Sequence, residues 1–89
     1  MDGDQSKDVD LIVYPNPSAS VFYFELESPD KELFSINLYD MNGRLILCKE
    51  KLNPDEIIII DEDLAVGVYS AVVVQGEMRK TVRINKIEK

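Results

Sequence analysis

Apolar residues occupy alternate positions in several short segments of this chain, and residues typical of turns separate the segments. Two segments, 21–27 and 34–39, show the alternation most clearly. Their apolar side is formed by Phe22, Phe24, Leu26, Phe34, Ile36 and Leu38. A period of two is typical of a β-strand with one buried face. Each segment is therefore predicted to be a strand whose phenylalanines and aliphatic residues pack in a core.

Five further segments have the length and the β-branched content that strands prefer. They are 11–14, 44–49, 57–60, 68–75 and 78–85. Asp40 and Gly43 suit a type I turn followed by a bulge, which predicts a hairpin between the strands on either side. The four isoleucines of 57–60 fit a strand buried on both faces or one with an apolar outer face. The pattern predicts an all-β antiparallel sandwich of about seven strands.

The segment 64–74 is predicted to organise this sandwich. Gly67 precedes Tyr69 by two residues, and a β-branched run follows. In a two-sheet sandwich, a tyrosine at such a corner can donate its hydroxyl to upstream backbone while its ring enters the core. Glycine permits the left-handed or closely packed backbone that a side chain would obstruct. We expect Tyr69, Ala71 and Val73 to point inward.

The net charge of −7 argues against nucleic acid as a partner, because phosphates require a basic surface. The cations are unevenly placed: residues 79–89 contain five of the ten Lys and Arg residues and one acid, Glu88. One interpretation is a last strand whose solvent face carries cations. The other is a recognition strand with an exposed edge, at which the cations bias the choice of partner.

The chain has no histidine and a single cysteine, Cys48. Histidine-dependent nucleophilic triads, zinc sites and an internal disulfide are therefore excluded. Asp2, Asp4 and the segment 61–63 offer oxygen ligands, but they lack the spacing of a calcium loop. We predict no enzyme activity, no cofactor, no metal and no small-molecule substrate. Cys48 is expected to pack as a small apolar residue. Pairing between two chains or a reactive thiol is the alternative.

The tyrosines leave a second hypothesis open. Tyr23 and Tyr39 are predicted to face outward, because each alternates with the inward phenylalanines and aliphatic residues. Exposed tyrosines suit a carbohydrate- or matrix-binding accessory domain of an extracellular enzyme. A purely structural spacer domain is a third possibility.

Four blocks of the sequence, 13–18, 38–44, 64–69 and 76–86, have motifs in an order found in one known family. The residues that carry these motifs before the closing strand are Tyr14, Pro15, Asn16, Pro17, Asp40, Gly43, Arg44, Gly67 and Tyr69. In these blocks the chain resembles the type A C-terminal sorting domain of the type IX (Por) secretion system of Bacteroidetes. The resemblance spans residues 13–86, which is nearly the whole chain.

This resemblance implies an immunoglobulin-like sandwich at the C-terminus of a large exported protein, with a passenger fused to its N-terminus. It implies recognition in the periplasm by the type IX secretion machinery, transfer across the outer membrane to the cell surface or the medium, and removal by a sortase-like peptidase. The closing strand is the expected sorting signal, formed by Gly76, Arg79, Lys80, Thr81, Arg83 and Lys86. Residues 11–89 are then the sorting domain, and residues 1–10 are a linker remnant or a scar of expression. Cleavage is expected within Asp2–Asp10.

Overall fold

Alternation of apolar residues places one side of each strand against a core shared by two sheets. The computed structural model describes residues 9–88. Its seven strands are β1 (Asp10–Tyr14), β2 (Phe22–Glu27), β3 (Phe34–Tyr39), β4 (Leu45–Leu52), β5 (Ile58–Ile60), β6 (Gly67–Gln75) and β7 (Met78–Lys86). The predicted strands are confirmed, and their ends differ from the prediction by at most three residues.

The strands form a three-stranded sheet in the order β1-β2-β5 and a four-stranded sheet in the order β4-β3-β6-β7. Neighbouring strands pair antiparallel in both sheets. The prediction of an all-β antiparallel sandwich is therefore confirmed. Strands β4 and β7 are the edges of the larger sheet, so β7 pairs with β6 on one side and with no named strand on the other. Within residues 9–88, no helix is long and apolar enough to cross a membrane.

The core lies between the two sheets and contains the residues that the alternation selected. Buried apolar side chains from the strands include Phe22, Phe24, Leu26, Phe34, Ile36, Leu38, Tyr69, Ala71, Val73 and Ile84. Of the two interpretations of the isoleucine run 57–60, a strand buried on both faces or one with an apolar outer face, the second is correct. Ile58 and Ile60 are buried, whereas Ile57 and Ile59 are 54% and 49% exposed. Strand β5 therefore has an apolar outer face.

The expectation that Cys48 packs as a small apolar residue is wrong, because its side chain is exposed. Cys48 pairs with Asn37 on the outer face of the four-stranded sheet, while its neighbour Leu47 pairs with the buried Leu38 and packs against the core. The run 45–48 is apolar throughout, so the sequence contains no alternation from which the inward positions can be identified. The register is set instead by the irregular pairing of β3 with β4, which shifts between Leu38 and Tyr39.

The hairpin between β3 and β4 closes as predicted. The Gly43 amide donates to the Asp40 carbonyl at 3.0 Å, and Gly43 has a φ of 81°, a conformation that side chains disfavour. The Asp40 carboxylate accepts hydrogen bonds from the amides of Asn42 and Arg44 and from the Arg44 side chain. These bonds, the one from the Arg44 amide foremost, hold the pKa of Asp40 below its ordinary value. Asp40, Gly43 and Arg44 therefore act together to stabilise this turn.

Candidate functional site

Strand β7 contains most of the predicted sorting signal and is an edge strand, as the recognition hypothesis requires. It pairs with β6 along its whole length, from Gln75 opposite Met78 to Gly67 opposite Lys86. Successive side chains of a strand point to opposite faces, so the predicted residues separate into two groups. Arg79, Thr81 and Arg83 are exposed on the outer face, whereas Lys80 is half-buried and Lys86 is buried.

Lys86 is only 7% exposed and lies beneath the corner that precedes β6. Its Nζ donates a hydrogen bond to the Leu64 carbonyl at 2.8 Å. Lys86 therefore fixes the end of β7 to the corner. It also lines a wide depression of about 590 Å³, together with Ala19, Asp63, Val66 and others. The ammonium group of Lys86 is thus turned into the domain, unlike the guanidinium groups of the exposed arginines.

The corner has the tyrosine geometry that the sequence predicted. Tyr69 is buried, and its hydroxyl donates to the Ala65 carbonyl at 2.6 Å. Gly67 has a φ of 154°, in a region that residues with a Cβ rarely adopt. In the adjacent ladder Tyr69 pairs with Ile84 of β7. The corner therefore anchors the C-terminal part of the candidate strand.

The first motif of the chain lies against the free edge of β7, a contact that the sequence analysis did not predict. The Asn16 side chain donates to the Arg83 carbonyl at 2.9 Å and accepts from the Asn85 amide at 3.0 Å. Ser18 continues the pairing through its own backbone, as its amide donates to the Asn85 carbonyl and its carbonyl accepts from the Ile87 amide. The segment 16–18 thus covers the C-terminal half of the open edge.

The sequence contained one indication of this contact, the side-chain amide of Asn16. An asparagine side chain offers an amide carbonyl and an NH2 group, an acceptor and donors like those of a peptide bond, and so can pair with a strand edge. Asn16 lies between Pro15 and Pro17, which are exposed and whose preceding peptide bonds are both cis. Neither proline has a backbone N–H to contribute to such pairing. The side chain of Asn16 supplies the hydrogen bonds that its neighbours lack.

The turn between β6 and β7 is held by a buried glutamine that the sequence analysis missed. Gln75 accepts a hydrogen bond from Ser28 Oγ at 2.8 Å, and its Nε2 donates to the carbonyls of Asp30 and Glu32. Gly76 follows in the turn, where an added Cβ would lie 2.7 Å from Glu32 Oε1. Gln75 thus connects the start of the candidate strand to the loop between β2 and β3.

The two tyrosines of the carbohydrate hypothesis lie on opposite sides of the sandwich. Tyr23 lies on the outer face of the three-stranded sheet and stacks on Tyr14, with ring centroids 5.4 Å apart. Tyr39 pairs with Ser70 on the outer face of the four-stranded sheet. The Tyr14 hydroxyl donates to the Glu25 carboxylate, and this bond raises the pKa of Tyr14. Tyr23 and Tyr39 therefore form no common platform for a sugar.

The fold and the order of motifs agree with two comparisons. Residues 12–87 match the family described as the secretion system C-terminal sorting domain, so the chain belongs to that family, which serves type IX secretion. Its fold is similar to the crystal structure of a DUF3244 family protein from Bacteroides vulgatus, an immunoglobulin-like β-sandwich. That likeness has a TM-score of 0.73 and 16% identity, and it covers 97% of this chain and 93% of the other. No curated protein matches the chain.

Membership of this family has direct consequences for function. The chain is a C-terminal sorting domain of type IX secretion, and it has the immunoglobulin-like sandwich that the resemblance implied. Such a role implies interaction with the type IX secretion machinery and export to the cell surface or secretion. Sorting domains with this fold are typically non-catalytic.

Proposed function

We propose that this domain directs a passenger, covalently fused to its N-terminus, through the periplasm and across the outer membrane, and that the machinery recognises β7. The observation that supports the proposal is the position of Arg79, Thr81 and Arg83. They are exposed together on the outer face of an edge strand whose other side is held by β6. The domain contributes the sorting signal and catalyses no reaction of its own.

The proposal includes removal of the domain by a sortase-like peptidase at a site before Val9. The segment Asp2–Asp10 was the expected location, and its first seven residues lie outside the described part of the chain. Val9 is buried, and Asp10 pairs with Glu27 as the first residue of β1. A peptidase must bind its substrate in an accessible, unpaired conformation. Cleavage before Val9 would leave β1 and its pairing with β2 in place.

Charge reversal on β7 tests recognition more cleanly than deletion of residues 80–89. The deletion removes Ile84 from the core, so it would disrupt the fold as well as the address. Arg79→Glu with Arg83→Glu alters two exposed side chains and leaves the core intact. We expect a reporter fused before the variant domain to accumulate in the periplasm of a cell with the type IX system.

The matched control is Lys31→Glu with Lys51→Glu, which changes the net charge equally at two exposed cations away from β7. The control reporter should be exported like the unmodified one. Normal export of the β7 variant, or an equal loss of export in the control, would contradict recognition through β7. Mass spectrometry of the exported reporter tests cleavage separately. It should detect a C-terminus that precedes Val9, and an intact attached domain would contradict removal.

A further inference from the structure

The free edge of β7 divides into a covered part and an open part. Asn16 and Ser18 pair with the Arg83 carbonyl, with both backbone groups of Asn85 and with the Ile87 amide. Residues 83, 85 and 87 therefore direct their peptide groups away from β6. The pairing of β6 with β7 continues without a register shift to Met78, so the alternation extends to Arg79 and Thr81. These two residues direct their peptide groups to the part of the edge that 16–18 does not cover.

Two of the other edges of the sandwich, β4 and β5, are poorer templates for a further strand. Strand β4 has two register shifts in its pairing with β3, and Lys51 has a positive φ of 58°. Such irregularities interrupt the row of backbone groups that an added strand needs. Strand β5 has three residues. The start of β7 is the regular open edge in the described part of the four-stranded sheet.

The side chains of the open edge select an acidic partner. Arg79 and Arg83 flank Thr81 on the outer face, and the ion pairs between residues 9–88 join other residues, namely Lys31 to Asp55, Arg44 to Asp40 and Lys49 to Glu62. Opposite charges on directly paired residues stabilise a sheet. An added strand with carboxylates two residues apart would place one opposite Arg79 and one opposite Thr81, because side chains on one face recur every second residue. The second carboxylate would lie diagonal to Arg83, within reach of that long side chain.

A second copy of this chain is a poor occupant of the same edge. Antiparallel pairing about a two-fold axis at Arg79 or Lys80 would set that cation directly opposite the same residue of the other copy, and like charges in direct pairs destabilise a sheet. An axis nearer the end of β7 would collide with the segment 16–18 of both copies. The geometry and the charge thus favour a different protein.

We propose that the open edge at Arg79–Val82 binds an extended acidic segment of a protein partner by β-strand addition. The partner's backbone completes the hydrogen bonds of Arg79 and Thr81, and its carboxylates pair with the two arginines. This inference rests on the proposed function in taking β7 as the recognised strand, but it concerns the purified domain and is tested without secretion. It limits the docking stretch to the first half of the predicted signal.

The test uses the full chain labelled for NMR and a synthetic peptide of about ten residues, the length of a long strand. The peptide alternates valine with polar residues and carries two glutamates two positions apart. A matched peptide has lysines in place of the glutamates. We expect the acidic peptide to slow exchange of the Arg79 and Thr81 amides. The lysine peptide should bind roughly tenfold more weakly, since two charge pairs change sign.

Two variants of Thr81 test whether the acidic peptide binds at this edge. Thr81→Pro removes the open N–H, and proline is tolerated on edge strands, so binding should be lost. Thr81→Val keeps the N–H and should bind normally. If Thr81→Pro fails to fold, Arg79→Glu with Arg83→Glu decides, because it should reverse the preference and favour the lysine peptide.

Absence of binding by the acidic peptide, equal binding of both peptides, or protection on β4 or β1 in place of β7 would overturn the inference. So would normal binding to a folded Thr81→Pro variant. The two proposals fail separately. If charge reversal on β7 leaves export intact while the peptide still protects Arg79, recognition through β7 fails and strand addition stands. If charge reversal on β7 blocks export but the peptide does not protect Arg79, recognition through β7 stands and strand addition is rejected.

Discussion

The two halves of β7 have similar sequences and different environments. The half from Met78 to Val82 has an open edge and places Arg79 and Thr81 on the surface. The half from Arg83 to Lys86 is covered by 16–18, and it buries Ile84 and Lys86. A basic closing strand therefore combines two roles: its first half is available to a partner, and most of its second half holds the domain together. Charge by itself does not distinguish a cation that binds a partner from one that stabilises the fold.

The largest difference between the halves is expected from truncation of their central residues. Ile84→Ala should lower the free energy of unfolding by about 2–5 kcal/mol, because it leaves a cavity beside the buried Tyr69. Thr81→Ala, on the exposed face of the open half, should change it by less than about 0.5 kcal/mol. Urea denaturation of both variants measures the difference. Similar losses would remove the distinction between the two halves.

The next effect concerns the two lysines. Lys86→Met keeps the apolar stem but leaves the Leu64 carbonyl without its charged donor, so stability should fall by roughly 1.5–3 kcal/mol. Lys80→Met is the matched change in the open half and should be nearly neutral. Thermal unfolding followed by circular dichroism compares them. A neutral Lys86→Met would show that the buried ammonium group does not hold the corner.

A smaller loss of stability is expected from removing the Tyr69 hydroxyl, which holds the corner beside the covered half of β7. Tyr69→Phe keeps the buried ring and removes the hydrogen bond to Ala65, which should cost about 0.5–1.5 kcal/mol. Tyr69→Ala also removes the ring and should cost about 3–5 kcal/mol. Denaturant titration of the pair separates the hydroxyl from the packing. Equal losses in the two variants would mean that the hydroxyl accounts for the whole contribution of Tyr69.

A local effect should follow from removing the asparagine that covers the edge. In Asn16→Ala the Asn85 amide loses its acceptor, and its hydrogen exchange should accelerate roughly fivefold, as expected for a bond worth ~1 kcal/mol. Asn16→Asp retains the acceptor oxygen and should leave that amide slow. The Thr81 amide should be unaffected in both. Unchanged exchange in Asn16→Ala would argue that the covering segment does not protect the second half.

The smallest effect is expected far from β7, at the opposite edge of the sheet. The pKa of Asp40 is lowered in the folded state, so its hydrogen bonds stabilise the fold above the ordinary pKa of an aspartate and are lost as pH falls through the lowered value. The unfolding temperature should therefore decline below about pH 5, and less steeply in Asp40→Asn. If the unfolding temperature falls equally steeply with pH in the unmodified domain and in Asp40→Asn, groups other than Asp40 cause the acid sensitivity.

Alternation predicted the strands and the core because burial of one sheet face leaves a period of two in the sequence. Phe22, Phe24 and Phe34 are buried for that reason. Where alternation is absent, prediction failed or stayed open, as for Cys48 and the isoleucines of β5. Their orientation depends on register, which is set by pairing with a neighbouring strand and leaves no local pattern.

The sequence predicted where the candidate strand lies, but not that the strand divides into an open half and a half covered by 16–18. Five of the chain's ten cations cluster after residue 78, which identified the strand. The burial of Lys86 depends on the position of the Leu64 carbonyl, and the covering of Arg83 and Asn85 depends on Asn16, more than sixty residues earlier. Contacts so distant in sequence arise from topology. Gln75 was missed for the same reason, since its partners lie in the loop after β2.

The Gln75 connection also determines at which end of the domain β1 begins, and so where the proposed passenger would be joined. Asp10 pairs with Glu27, and the next residue, Ser28, bonds to Gln75 at the start of the β6–β7 turn. Asp10 therefore lies at the end of the sandwich where β7 begins, and Lys86 lies at the opposite end. A receptor that grips Arg79 and Thr81 would lie next to the junction with the passenger. A peptidase associated with that receptor would then reach the scissile segment while the address is still bound.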